Sequence, residues 1–216
     1  MGVLAVGMGV SWVCRRRLLR RQLSTEARRL AALWVGAVET MLDVPKAGTI
    51  VLQPAASDEE SRESFLPEGI PEALRTGRAF ALTAFDPPGV SRSRDDNAKA
   101  NDDLWQVLRS LEPAMVWPGF GVDVDERWRE DGFILQWPAI NADDARNRIL
   151  AVASDFQQGA IYEYYATDGG ALRRRTLGAK LAQIDEETPM KRVAAYDLLR
   201  DDPLFKLKWA GPDLHK

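Results

Sequence analysis

The chain has 216 residues, of which 45% are hydrophobic and 28% charged, and its formal net charge at pH 7 is −3. This length and apolar content fit one packed domain with extensions and exclude a globally disordered chain. Its single cysteine is Cys14 and its single histidine is His215. Disulfides and zinc sites made of cysteine and histidine are therefore excluded, and a Ser-His-Asp triad is disfavoured.

The first 25 residues contain five arginines and no acidic residue. Arginine-rich, acid-poor leaders with small and hydroxyl residues direct import into organelles, and residues 21–25 resemble the cleavage pattern of mitochondrial matrix presequences. We therefore expect residues 1–23 to be a presequence and the protein to work in the mitochondrial matrix. Plastid import and membrane association through a short anchor are the alternatives.

Without residues 1–23 the chain would hold 24 basic and 32 acidic residues, which gives a net charge of −8. An acidic protein is a poor candidate for sequence-independent nucleic-acid binding, which depends on phosphate neutralisation. The apolar run 3–14 is too short to span a bilayer, so no transmembrane span is expected.

The N-terminal region, residues 24–48, is predicted to contain one helix. Apolar residues recur at helical spacing over 25–42, with Thr25 as its cap. A β-like run follows at 49–53, and the polar, acidic stretch 55–72 is typical of a mobile loop.

The core, residues 49–177, is predicted to be an α+β domain. Its elements in chain order are strand 80–85, helix 95–111, strand 115–121, strand 132–137, helix 141–156, strand 160–165 and a hairpin partner at 172–177. The order strand-helix-strand-strand-helix-strand is that of the split β-α-β, ferredoxin-like folds. This pattern predicts a mostly antiparallel sheet with both helices on one face.

The C-terminal region, residues 178–216, is predicted to be a helix over 188–200 followed by a tail. The Thr188-Pro189 pair supplies a cap and a first-turn proline. The amphipathic tail and a basic cluster are the candidate docking surfaces for a partner, and the residues concerned are Arg173, Arg174, Arg175, Phe205 and Trp209.

Several short segments between residues 80 and 165 carry a resemblance to a known family. They are Leu-Thr-Ala-Phe-Asp-Pro at 82–87, Asn97 with Leu104, Pro118-Gly119, Glu-Asp-Gly-Phe at 130–133 and Phe-Gln-Gln-Gly-Ala-Ile at 156–161. On these segments the chain resembles a small bacterial domain family of unknown function. That family carries Trp-Asn-Pro where this chain has Phe85-Asp86-Pro87, and the resemblance implies no activity.

Polar residues at strand ends define the candidate ligand site. They are Thr83, Asp86, Asn97, Asn101, Glu130 and Gln158. The first and third strands of a split β-α-β sheet are antiparallel neighbours, which would place positions 86 and 130 near one edge beside a helix N-terminus. The alternative is structural: such residues also cap loops and satisfy buried backbone groups.

Neither a metal nor a cofactor is expected. The acidic run 123–126 lacks the spacing of an EF-hand loop, and Gly119-Phe120-Gly121 lacks the third glycine of a dinucleotide fingerprint.

The sequence thus predicts a non-catalytic accessory or binding subunit of a larger mitochondrial protein complex. The first alternative is a small-molecule-binding domain or a carboxylate-based hydrolase centred on Asp86, Asn97 and Glu130. The second is an RNA-binding module, because strand 132–137 occupies the place of the aromatic platform of an RNA-recognition motif. The acidic residues at 130 and 131, where that motif carries a basic residue, argue against RNA.

Overall fold

A computed structural model describes residues 25–87, 91–123, 128–179, 184–194 and 203–214. The predicted presequence, Cys14, His215 and residues 124–126 of the acidic run lie outside these ranges. Within them, no helix combines the length and the apolarity needed to cross a bilayer.

Eight strands and five helices form the described part of the chain. The strands are β1 (Val38–Val44), β2 (Gly48–Pro54), β3 (Gly77–Leu82), β4 (Met115–Asp123), β5 (Trp128–Pro138), β6 (Ala160–Ala166), β7 (Leu172–Gly178) and β8 (Asp185–Val193). The helices are α1 (Thr25–Gly36), α2 (Asp58–Ser64), α3 (Glu72–Arg75), α4 (Arg94–Leu108) and α5 (Ala142–Asp155), with 3₁₀ turns at Arg109–Leu111 and Ala139–Asn141.

The strands form a closed antiparallel barrel in the order β1-β2-β8-β7-β6-β3-β5-β4. Closure is made by β1 and β4, where Val38 pairs with Val122 and Met41 with Gly119. Each strand therefore has a neighbour on both sides, which removes the exposed edges of an open sheet.

The ferredoxin-like prediction is wrong, because that fold is an open sheet and this one is closed. The predicted middle strands exist, and β3 and β5 are antiparallel neighbours as expected. The sheet continues, however, through β1, β2, β7 and β8 until it meets itself. The result is a barrel with helices on its outside.

The two predicted terminal helices account for most of this error. The N-terminal helix ends at Gly36, so the predicted helix 25–42 is wrong from Val38 onward, where β1 begins. At the other terminus, Thr188 and Pro189 lie within β8 and pair with β7, so the predicted helix 188–200 is wrong at its start. Residues 195–200 of that prediction lie outside the described ranges.

The stretch 55–72 is not the structureless loop that was predicted, because it contains α2. Ser57 caps this helix by accepting a hydrogen bond from the Glu60 amide at 3.2 Å. The buried Ser61 hydroxyl donates to the Met190 carbonyl at 2.6 Å. The helix is thereby attached to β8.

The two larger apolar cores lie on opposite faces of the sheet, and a third, smaller cluster packs Phe205 of the tail against Phe120 and Val122 of β4. The barrel interior is filled by side chains that include Met41, Leu52, Trp117, Ile134, Tyr164 and Met190. The outer core lies beneath α4 and α5 and includes Phe80, Leu104, Phe133, Leu135, Trp137 and Ile149. Because Phe133, Leu135 and Trp137 are buried there, strand 132–137 does not present an aromatic platform for RNA.

Candidate functional site

A pocket of about 120 Å³ lies at one end of the barrel, and we call it the mouth pocket. Its walls come from β1, β4 and β5, from the end of β3 and the start of β6, and from α1. Its carboxyl groups and its aromatic rings are the side chains of Glu39, Asp86, Glu130, Trp34, Phe120, Trp128, Phe133 and Tyr162. The described lining residues include no lysine, arginine or histidine.

Glu39 enters the pocket from β1. Side chains alternate along a strand, so Glu39 shares the inward face with Met41 of the barrel core. It is only 3% exposed, and the Tyr164 hydroxyl donates to its Oε2 at 3.3 Å. Burial raises the pKa of Glu39 to about 7, although Arg174 and Tyr164 act in the opposite direction.

Glu130 enters the pocket from β5 and is half-buried. Burial and, after it, the neighbouring carboxyl groups of Asp86 and Glu39 together raise the pKa of Glu130 to about 8. The carboxyl groups of Asp86 and Glu39, on two other segments, thus act on Glu130 across the pocket. This clustering costs free energy that a bound cation would offset.

Arg174 lies below the pocket, fully buried inside the barrel. It donates to carbonyls at the C-terminal end of α1, at 2.6 Å to Val35 in the helix and at 2.7 Å to Ala37 directly after it. A guanidinium satisfies the unpaired carbonyls of a helix C-terminus and interacts favourably with its dipole. This contact fixes the end of α1, which carries Trp34 in the pocket wall.

The turn after β3 is held in place by the two predicted asparagines of α4. Asn101 Oδ1 accepts from the Ala84 amide at 2.9 Å, and Asn97 Oδ1 accepts from the Asp86 amide at 3.0 Å. Asn97 also donates to the Asp86 carboxylate at 3.1 Å. These bonds hold Asp86 at φ +25°, which L-residues rarely adopt.

The six predicted site residues therefore divide into two groups. Four of them line the mouth pocket, namely Thr83, Asp86, Glu130 and Gln158. Thr83 and Gln158 also stabilise the fold through hydrogen bonds to the backbone. Thr83 donates to the Asp131 carbonyl at 2.6 Å, and Gln158 donates to the Phe85 carbonyl at 3.0 Å. Asn97 and Asn101 position the turn without lining the pocket.

Asp131 faces away from the pocket and is completely buried. Its carboxylate accepts from Arg94 at 2.6 Å, from Arg129 at 2.6 Å and from the Ala210 amide at 2.7 Å. One carboxylate thus joins α4, β5 and the C-terminal tail.

The predicted partner-docking residues all have contacts within the chain. Arg173 pairs with Asp58 at 2.8 Å, and Arg175 pairs with Asp185 at 2.6 Å. In the tail, Phe205 packs on Phe120 and Trp209 packs on Phe133, with ring centroids 6.0 and 5.8 Å apart.

Among the carboxyl and aromatic side chains of the pocket, six were not identified as site residues from the sequence: Trp34, Glu39, Phe120, Trp128, Phe133 and Tyr162. Interpreting residues 38–42 as helix hid the strand alternation that places Glu39 inward. No group of three or more histidine, cysteine or acidic side chains suited to a metal occurs in the described part of the chain.

Comparison with known proteins gives a match to a family model. Residues 82–161 match the model of a family described as "Protein of unknown function (DUF3293)". No curated protein and no solved structure matches the chain. The match spans α4, β4, β5 and α5 and contains Asp86 and Glu130. The chain therefore contains a segment similar to a domain of unknown function, in agreement with the resemblance in its sequence.

Proposed function

We propose that this protein is a non-catalytic small-molecule-binding barrel and that the mouth pocket is its binding site. The observation that supports this most directly is the convergence of Glu39, Asp86 and Glu130 on one pocket with aromatic walls. The mouths of β-barrels and apolar pockets with a few convergent polar groups are common places for ligand binding.

The geometry of the pocket sets the kind of ligand. A volume of about 120 Å³ corresponds to several water molecules and is below the range of sites for drug-sized ligands. The pocket therefore suits a small molecule or the head group of a larger one.

A titration with four small probes tests this proposal. We expect choline, 3,3-dimethyl-1-butanol, glycerol or acetate to raise the melting temperature with increasing concentration and to change tryptophan fluorescence. Trp34→Phe and Trp128→Phe should reduce the fluorescence change, since these indoles line the pocket. If no probe stabilises the protein, or if the fluorescence change persists in both variants, the mouth pocket is not the binding site.

A carboxylate-based hydrolase is the second candidate, favoured by the raised pKa of Glu130. A carboxyl group with a pKa of about 8 keeps its proton at neutral pH and can act as a general acid beside a second carboxyl such as Asp86. We expect any turnover of p-nitrophenyl esters or glycosides to fall by at least 100-fold in Glu130→Gln. Equal rates in the variant and the parent would remove this candidate.

We keep the role in a mitochondrial complex as a secondary proposal. It rests on the arginine-rich first 25 residues and on the amphipathic tail. Small-molecule binding at the mouth pocket is the better supported proposal. The arginine and aromatic side chains that were predicted to dock on a partner have contacts within the chain instead.

A further inference from the structure

We propose that the ligand of the mouth pocket is an organic cation, whose alkylated ammonium group lies between the indole of Trp128 and the carboxylates of Glu39 and Glu130. This inference rests on the proposed binding function and specifies the class of ligand.

The first support is the sign of the pocket's charge. Glu39, Asp86 and Glu130 bring three carboxyl groups to it, and its described lining residues include no basic side chain. Two guanidinium groups lie near the pocket without lining it: Arg174 donates to the Val35 and Ala37 carbonyls and acts on Glu39, and Arg92 donates to the Ala84 carbonyl. With Glu39 and Glu130 ionised, as at pH 8 and above, this arrangement repels an anionic ligand and attracts a cation.

The second support is an indole ring and a carboxylate facing the same small space. A methyl group placed on Gly121 would lie 3.6 Å from Cζ3 of Trp128 and 3.8 Å from Oε2 of Glu39. Alkylated ammonium groups bind against aromatic faces and gain further from a nearby negative charge. Trp34 adds a second indole to the lining, whereas the Tyr162 ring already has the Arg174 guanidinium 4.6 Å from its centroid.

The third support is the incomplete hydrogen bonding of Glu39. This side chain is 97% buried, yet the described residues give its carboxylate a single hydrogen bond, the 3.3 Å contact from Tyr164 to Oε2. An ionised buried carboxylate needs compensating partners. An ammonium in the adjacent space would compensate its charge.

The pocket favours an organic cation over a metal ion. The described residues hold no cluster of acidic, histidine and cysteine side chains suited to a metal. Aromatic walls suit an alkylated head group, which keeps apolar surface around its charge.

Choline and its uncharged analogue 3,3-dimethyl-1-butanol give a direct test, because they share a shape and differ in charge. By titration calorimetry at pH 8, we expect choline to bind at least 10-fold more tightly than the alcohol. Glu39→Gln and Glu130→Gln should each weaken choline binding by at least 5-fold and leave the alcohol unchanged.

Gly121→Ala provides a steric test with a matched control. The added methyl makes ordinary van der Waals contacts with Trp128 and Glu39, so the barrel should fold, but it occupies the proposed cation space. We expect at least a 10-fold loss of choline affinity. Gly169→Ala makes the same change in the β6–β7 turn, at the far end of β6, and should bind choline like the parent.

The outcomes separate this inference from the proposed function. Equal binding of choline and the alcohol would contradict the inference that the ligand is a cation, and it would still support a small-molecule site. Preferential binding of acetate or glycerol would do the same. If none of the four probes binds, both the inferred cation and the proposed small-molecule-binding function are contradicted. Choline binding that persists in Gly121→Ala and in both glutamine variants would place the cation elsewhere.

Discussion

Replacing Asp131 by asparagine is expected to lower the free energy of unfolding by about 3–5 kcal/mol, the range for breaking a buried ion pair from one side. The Asp131 carboxylate is fully buried and accepts from Arg94, Arg129 and the Ala210 amide. The variant leaves the buried Arg129 guanidinium without a counter-charge, and it weakens the attachment of the tail to α4 and β5.

Urea denaturation at pH 7 measures this loss, and Asp143→Asn is the matched control. Asp143 also pairs with an arginine at 2.6 Å, but its side chain is 89% exposed, and exposed pairs contribute less than about 1 kcal/mol. Equal losses in the two variants would contradict a stabilising role for the buried carboxylate.

The second large effect is a dependence of stability on pH that Glu130→Gln should reduce. In the folded protein the pKa of Glu130 is raised from 4.5 to about 8. Between these values the folded state holds a proton that the unfolded state has released, so the free energy of unfolding falls as pH rises. This contribution is fully present below about pH 4.5 and is lost as pH rises through about 8.

Glutamine resembles the protonated carboxyl group but does not titrate. The variant therefore avoids the fall in the free energy of unfolding that Glu130 causes as pH rises. Because Glu130 is only half-buried, we expect Glu130→Gln to be more stable than the parent by on the order of 2 kcal/mol at pH 8.5, and about equal to it at pH 5. Denaturation series at both pH values measure the difference, with the exposed Glu63→Gln as control. A constant difference at the two pH values would show that the folded protein does not hold this proton.

The sequence predicted best the parts of the molecule that depend on local pattern. The antiparallel pairing of β3 with β5, with Asp86 and Glu130 near each other, was predicted from the split β-α-β topology; that topology is wrong for the whole sheet, but this central pairing occurs in the barrel. The two helices of the matched segment were found because their apolar faces repeat at helical spacing.

Barrel closure could not be predicted in this way, because it depends on pairing between distant segments. Apolar residues at 34, 38 and 41 fit helical spacing, and only the pairing of β1 with β4 makes residues 38–41 a strand. The burial of Arg174 is a similar case. Strand alternation places one arginine of the cluster 173–175 inward. Its hydrogen-bond partners, however, are carbonyls at the C-terminal end of α1, which is far away in the sequence, so local pattern does not predict them.

The mouth pocket is divided between the segment that matches a family model and the segments outside it. The matched segment 82–161 provides Asp86, Trp128 and Glu130, whereas Glu39 comes from β1 and Trp34 from α1. A protein that shares only this segment would have one side of the pocket without the opposite carboxylate or the α1 indole. Similarity in the matched segment and the make-up of the whole pocket can therefore vary independently, and residues 82–161 expressed alone would lack Glu39, Trp34 and Tyr162.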